Sequence, residues 1–160
     1  MTTQEIICNL CIGVTGSVLA SVIVIVYTQY KDKEKIKEKY SGPVGTYIGY
    51  GHTQQGGTIV NMDTALSEVT ITYISENKLQ LTLKEINNPH QWSGIVAMET
   101  ESYGTLSWRY DILHGKPVDM KTHQFGFKRL MYLTRENKKI VYLVGEEGYG
   151  KEILIEKAST

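Results

Sequence analysis

The chain has 160 residues, 17 Lys+Arg against 17 Asp+Glu, and 41% hydrophobic residues, which is one domain's length with no formal net charge. A chain of zero net charge gives no reason to expect a nucleic-acid partner. Both cysteines, Cys8 and Cys11, fall in an N-terminal apolar run. The remainder therefore has neither a disulfide framework nor a thiolate nucleophile, and it is long enough to bury a core without them.

The first element is IICNLCIGVTGSVLASVIVIVYTQY, residues 6–30, which contains no Asp, Glu, Lys, Arg or His. About 20 apolar residues cross a bilayer core of about 30 Å, so the run is expected to be a single transmembrane helix. Asn9, Thr15, Ser17 and Ser21 are polar but uncharged, and a helix in lipid satisfies such groups on its own backbone. A cleaved signal peptide would need a cationic start and a small-residue cleavage site, whereas Glu5 precedes this run and a charged stretch follows it. Gly13, Ser17 and Ser21 recur at steps of four, with Gly16 and Ala20 in a parallel row. Small rows of this kind let helix backbones approach closely, so this face is expected to mediate self-association. Cys8 and Cys11 form a C-x-x-C without the second ligand pair that zinc requires, and no metal or other cofactor is expected.

Residues 31–40 alternate lysine with acidic residues and read as a solvated continuation of the helix, stopping before Ser41-Gly42-Pro43. Lys31, Lys33, Lys35, Lys37 and Lys39 lie just past the apolar run, and no cation precedes it. The lysine-rich side stays inside, which places the N-terminus outside and the rest in the cytoplasm. The expected organisation is a transmembrane anchor at 1–30, a charged helical linker at 31–42 and a cytoplasmic β-barrel at 43–160.

After Pro43 the period changes to two. Val69, Ile71 and Tyr73 alternate with threonines, Leu79, Leu81 and Leu83 with polar residues, and Leu106, Trp108 and Tyr110 with Ser107 and Arg109. Each is the pattern of a strand with one buried face. Turn residues punctuate the rest, including Glu76-Asn77, Asn87-Asn88-Pro89, Gly115-Lys116-Pro117 and Glu136-Asn137. Strands are expected near 45–50, 57–62, 66–74, 78–86, 91–99, 104–112, 121–133, 138–145 and 150–157. The fold class is therefore mainly β, a small antiparallel barrel of about eight strands behind one helix.

No reading of the barrel suggests an enzyme. GEEGYG at 145–150 lies between strands and reads as a turn, while His52, His90, His114 and His123 are scattered. An anion-binding signal is present instead. Residues 116–139 hold Lys116, Lys121, Lys128, Arg129, Arg135, Lys138 and Lys139 against Asp119 and Glu136. Aromatics lie nearby at Trp108, Tyr110, Phe125 and Phe127, on which bases can stack. Arg109 points away from Trp108 and Tyr110, so either the aromatics or Arg109 line the barrel interior.

GTYIGYG at 45–51, LSWRYD at 106–111, HQFGF at 123–127 and LVGEEGYGKEILIEK at 143–157 follow a short membrane part. In this the chain resembles the membrane-anchored β-barrel effectors of bacterial cyclic-oligonucleotide anti-phage signalling (CBASS). The better-known members carry two membrane helices where this chain has room for one. The resemblance implies an effector of abortive infection at the bacterial inner membrane, paired with a nucleotidyltransferase that makes a cyclic di- or oligonucleotide upon infection. The barrel would bind that ligand, the protein would oligomerise with itself, and clustered helices would breach the bilayer. Ligand contacts are then expected from Tyr50 and Tyr110 by stacking, from Arg109, Lys128 and Arg129 at phosphates, and from His123 as a donor. Two other readings share the architecture: a lipocalin-like barrel with an apolar interior for a small molecule, and a docking module with an apolar patch on its surface.

Overall fold

The computed structural model describes residues 3–55, 58–60, 64–113, 115–118, 125–145 and 151–158, with side chains at 17–50, 64–112, 115–118, 126–145 and 152–158. It divides into two compact units, residues 1–36 and 37–160. Helix α1 runs unbroken over Thr3–Tyr40. It ends where Ser41 and Gly42 break it, and the Ser41 hydroxyl bonds back to the Lys37 carbonyl. Within the apolar run Ser21 donates to the Ser17 carbonyl and Thr28 to the Val24 carbonyl, both at 2.8 Å. Among the described residues no helix is long and apolar enough to cross a membrane. The described side chains begin at Ser17, whereas the apolar run begins at Ile6. Gly13 and Gly16 of the expected packing face therefore lie before the described side chains, and Ser17, Ala20 and Ser21 are exposed.

The second unit is a closed antiparallel barrel. Its strands are β1 (Gly45–Gln55), β2 (Thr58–Val60), β3 (Ala65–Ser75), β4 (Lys78–Glu85), β5 (Gln91–Met98), β6 (Tyr103–Leu113), β7 (Lys116–Pro117), β8 (Phe125–Arg135), β9 (Lys138–Gly145) and β10 (Lys151–Glu156). Eight of them, in the order β1-β3-β4-β5-β6-β8-β9-β10, form a ring that closes where β10 pairs with β1. The other two are short additions, β2 on the far end of β1 and β7 on the end of β6. Of the strand expected over 57–62, Thr58–Val60 is described, as a hairpin partner of β1 rather than a stave of the barrel. The one expected from 121 is described from Phe125. The Glu136-Asn137 loop holds both residues at positive φ, 53° and 62°, which is the twist that a two-residue hairpin needs.

Alternation decides what fills the ring. Val69, Ile71, Leu79, Leu81, Leu83, Val96, Leu106, Leu130, Val141, Leu143 and Leu154 all point inward and are almost wholly buried. Their partners one residue along face outward, and β3 and β4 show the pattern cleanly. Tyr47 is fully buried among them and donates a 2.6 Å hydrogen bond to the Pro43 carbonyl. Burial, with Glu156 and Tyr132 nearby, pushes its phenol well above the ordinary value. At the same end Lys139 faces inward, donating to the Val44 carbonyl at 2.8 Å and lying 3.7 Å from Glu156.

Two outcomes follow. Leu106→Ala is expected to cost about 2–5 kcal/mol by urea unfolding, as for a fully enclosed leucine, whereas outward Thr82→Ala should stay within about 0.5 kcal/mol. The folded state also keeps the Tyr47 proton where the unfolded chain releases it, near pH 10. That contribution is complete below about pH 10 and is lost as pH rises further. Tyr47→Phe should therefore flatten the decline of stability above pH 10, measured as urea midpoints across alkaline buffers.

Candidate functional site

The aliphatic core stops short of one end of the barrel, and a polar and aromatic cluster takes its place. Lys128 lies on β8 at an inward position, two residues before buried Leu130. Its ammonium donates to Glu152 Oε1 of β10 at 2.7 Å, and the two side chains are only 13% and 24% exposed. The same nitrogen stands 4.9 Å from the centre of the Trp92 ring and 5.5 Å from that of Trp108. One carboxylate and two indole faces therefore balance a cation that water reaches poorly.

The rings continue as a chain. Trp92 and Trp108 are 5.5 Å apart, Trp108 meets Tyr110 edge-on at 5.4 Å, and Tyr110 meets His90 edge-on at 6.1 Å. His90 Nδ1 lies 3.3 Å from Glu85 Oε2, which also accepts from the Asn88 amide at 3.0 Å. Burial first, then the Glu85 and Glu152 carboxylates, raise the Tyr110 phenol above its ordinary value, so it stays a neutral donor. Backbone without side chains makes room for the indoles: a Cβ at Gly126 would come within 2.9 Å of the Trp108 ring. Beside the cluster lies a cavity of about 240 Å³, lined by Leu66, Ser67, Leu83, Glu85, Asn87, Asn88, Trp92 and Glu152. Glu152 Oε2 is buried with no hydrogen-bond partner among the described residues.

The structure divides the expected contact residues between two faces. Tyr110 and Lys128 meet inside. Arg109 is 62% exposed on the outer wall, with Nε 3.8 Å from Asp111, so the aromatics and not Arg109 line the interior. Arg129 also faces outward, bonding the Tyr103 hydroxyl with its guanidinium 5.7 Å from that ring. Tyr50 pairs with outward Ile153 and is half-buried on the outside. His123 lies outside the described residues. Among the described residues of 116–139, the cations therefore do not gather into one phosphate clamp.

Trp92, Glu85 and Glu152 belong to the cluster without having been singled out by the sequence. The signal for them was available: Gly126, Lys128 and Leu130 share one parity, and a charge in line with a core leucine demands an inward counter-charge. Among the described residues no three His, Cys, Asp or Glu side chains converge as a metal site would require. The described core of the barrel is packed with aliphatic side chains together with Tyr47, Trp92 and Met98.

If Lys128 and Glu152 sustain one another, Lys128→Met should cost about 1–3 kcal/mol by stranding the carboxylate. Lys128→Met with Glu152→Leu should recover most of that loss. Urea midpoints check this, and a double variant as unstable as the single one would show that the pair is not the source. No family model, no curated protein and no solved structure matches the chain.

Proposed function

We propose that this chain is a membrane-anchored effector of bacterial antiviral defence. In this reading its cytoplasmic barrel binds a cyclic nucleotide second messenger, bound copies oligomerise, and their clustered helices disrupt the inner membrane and kill the cell. The observation that carries the reading is α1. From Val18 to Tyr30 its large apolar side chains are 51–65% exposed and point in every direction around the helix. A helix apolar on all sides is stable only where something apolar surrounds it, and the run from Ile6 to Tyr30 has the length of a bilayer span. The small residues Gly13, Gly16, Ser17, Ala20 and Ser21 then offer neighbouring copies a close-packing face.

The barrel supplies a rigid seat for a ligand at its Lys128 end. The partly exposed Trp108 and Tyr110 offer stacking, and Lys128 offers one cation once Glu152 is displaced. Because Glu85 and Glu152 line the cavity, a base edge with N–H donors suits its interior better than a phosphate does. For such a ligand to act as a switch it must prefer the assembled state, since equal affinity for both states shifts nothing. The resemblance of the motifs at 45–51 and 106–111 to the barrels of cyclic-oligonucleotide signalling supports the same reading.

Thermal unfolding of residues 37–160 with a panel of cyclic di- and trinucleotides tests the sensor. At about 100 times its dissociation constant a ligand adds about 2.7 kcal/mol, which raises the midpoint by several degrees. The shift should vanish with the linear form and in Trp108→Ala compared at its own unliganded midpoint. A panel that moves nothing would refute nucleotide sensing and leave the helix argument standing.

A further inference from the structure

The outer wall of the barrel is not uniform. Around β3, β4, β5 and β6 it is mostly polar, with Glu68, Thr70, Gln80, Lys84, Ser107 and Arg109 facing out. Around β8, β9, β10 and β1 the outward positions are apolar in two adjacent rows. The first runs Met131, Tyr142, Ile153, Tyr50 across the four strands in register. The second runs Leu133, Ile140, Ile155, Ile48 in the same way. Met131 is 48% and Leu133 40% exposed, and the other six are partly exposed. Outward apolar residues in unbroken rows do nothing for the barrel core, which is already full.

Cations border the rows, three at one edge and Arg129 alone at the other. Arg135 and Lys138 pair beyond Leu133 and Ile140, and Lys157 follows the end of β10. Arg129 and Val144 pair beyond Met131 and Tyr142. Among the described residues Glu136 lies 3.7 Å from Arg135 and Glu68 3.6 Å from Lys157, in exposed pairs of little strength. We infer that this wall docks on an anionic membrane surface, its two apolar rows entering the boundary between headgroups and acyl chains and its cations meeting lipid phosphates. Branched aliphatics and tyrosines between basic flanks are what such an interface selects. A second copy turned so that the Arg135–Lys138 edges met would oppose like charges. The inference uses residues that the nucleotide reading does not need, apart from Tyr50 and Arg129, which this placement assigns to lipid.

The test uses the full chain carrying Cys8→Ser and Cys11→Ser, labelled with an environment-sensitive fluorophore at Tyr142→Cys or, on the polar wall, at Thr82→Cys. In phosphatidylcholine–phosphatidylglycerol vesicles a lipid-borne quencher should dim position 142 several-fold more than position 82. The difference should shrink in phosphatidylcholine alone, in high salt, and in Arg135→Glu/Lys138→Glu. Unchanged thermal midpoints confirm that these outward variants are folded. Flotation of the same samples reads the helix separately. A chain that floats with phosphatidylcholine while positions 142 and 82 dim equally in all vesicles overturns the docking wall alone. A chain that floats with neither lipid overturns both the anchor and the wall. Energy transfer between labels at 142 that rises with protein density, without lipid quenching, assigns the wall to a second copy and overturns the inference.

Discussion

The pairing of β1 with β10, from Tyr47↔Glu156 to His52↔Lys151, turns a meander into a ring. An open sheet of this sequence would leave two edges of unpaired N–H and C=O groups and a hydrophobic face without a cover. Closure removes both at once. It also fixes the inside of every strand, since a slip of one residue anywhere would carry the leucines out and the lysines in. Gly49 shows how tight the seam is: a Cβ there would meet the Ser67 hydroxyl and Leu154.

Inside the ring, the two ends differ from the middle in the same way. The middle is aliphatic, and each end holds an inward lysine answered by a glutamate of β10, Lys128 with Glu152 and Lys139 with Glu156. Around such a lysine a carboxylate and, for Lys128, two indole faces stand in for the water it has lost. The Lys139 pair is knitted to the backbone at Val44. The Lys128 pair instead borders a cavity and leaves one carboxylate oxygen unanswered among the described residues. Among the described residues the two ends therefore differ in how fully their charges are answered.

Much of the fold was legible because a barrel wall writes its two faces into alternate residues. Val69-Thr70-Ile71 and Leu79-Gln80-Leu81 need nothing beyond that rule, and the turns at Glu76-Asn77 and Glu136-Asn137 announce themselves. β7 was not legible, since two residues carry no period, and in the region of β2, which reads as a full strand, three of the described residues pair. The site was harder for a physical reason. Clustered charge in sequence, as in Lys128-Arg129, is split between inside and outside by the same alternation that reveals the strands. Arg109 and Trp108 part company likewise. Contacts such as Lys128–Glu152 join residues on strands that are not sequence neighbours, and only the register brings them together.

The seam between β1 and β10 has a consequence for how the protein is made. These are the first and last strands in chain order, so the ring cannot shut until nearly all of the barrel's sequence has left the ribosome. The apolar helix emerges long before. Closure over so long a loop is slow compared with forming the local hairpins β3–β4 and β8–β9. During synthesis the nascent chain therefore presents this apolar helix well before its finished barrel.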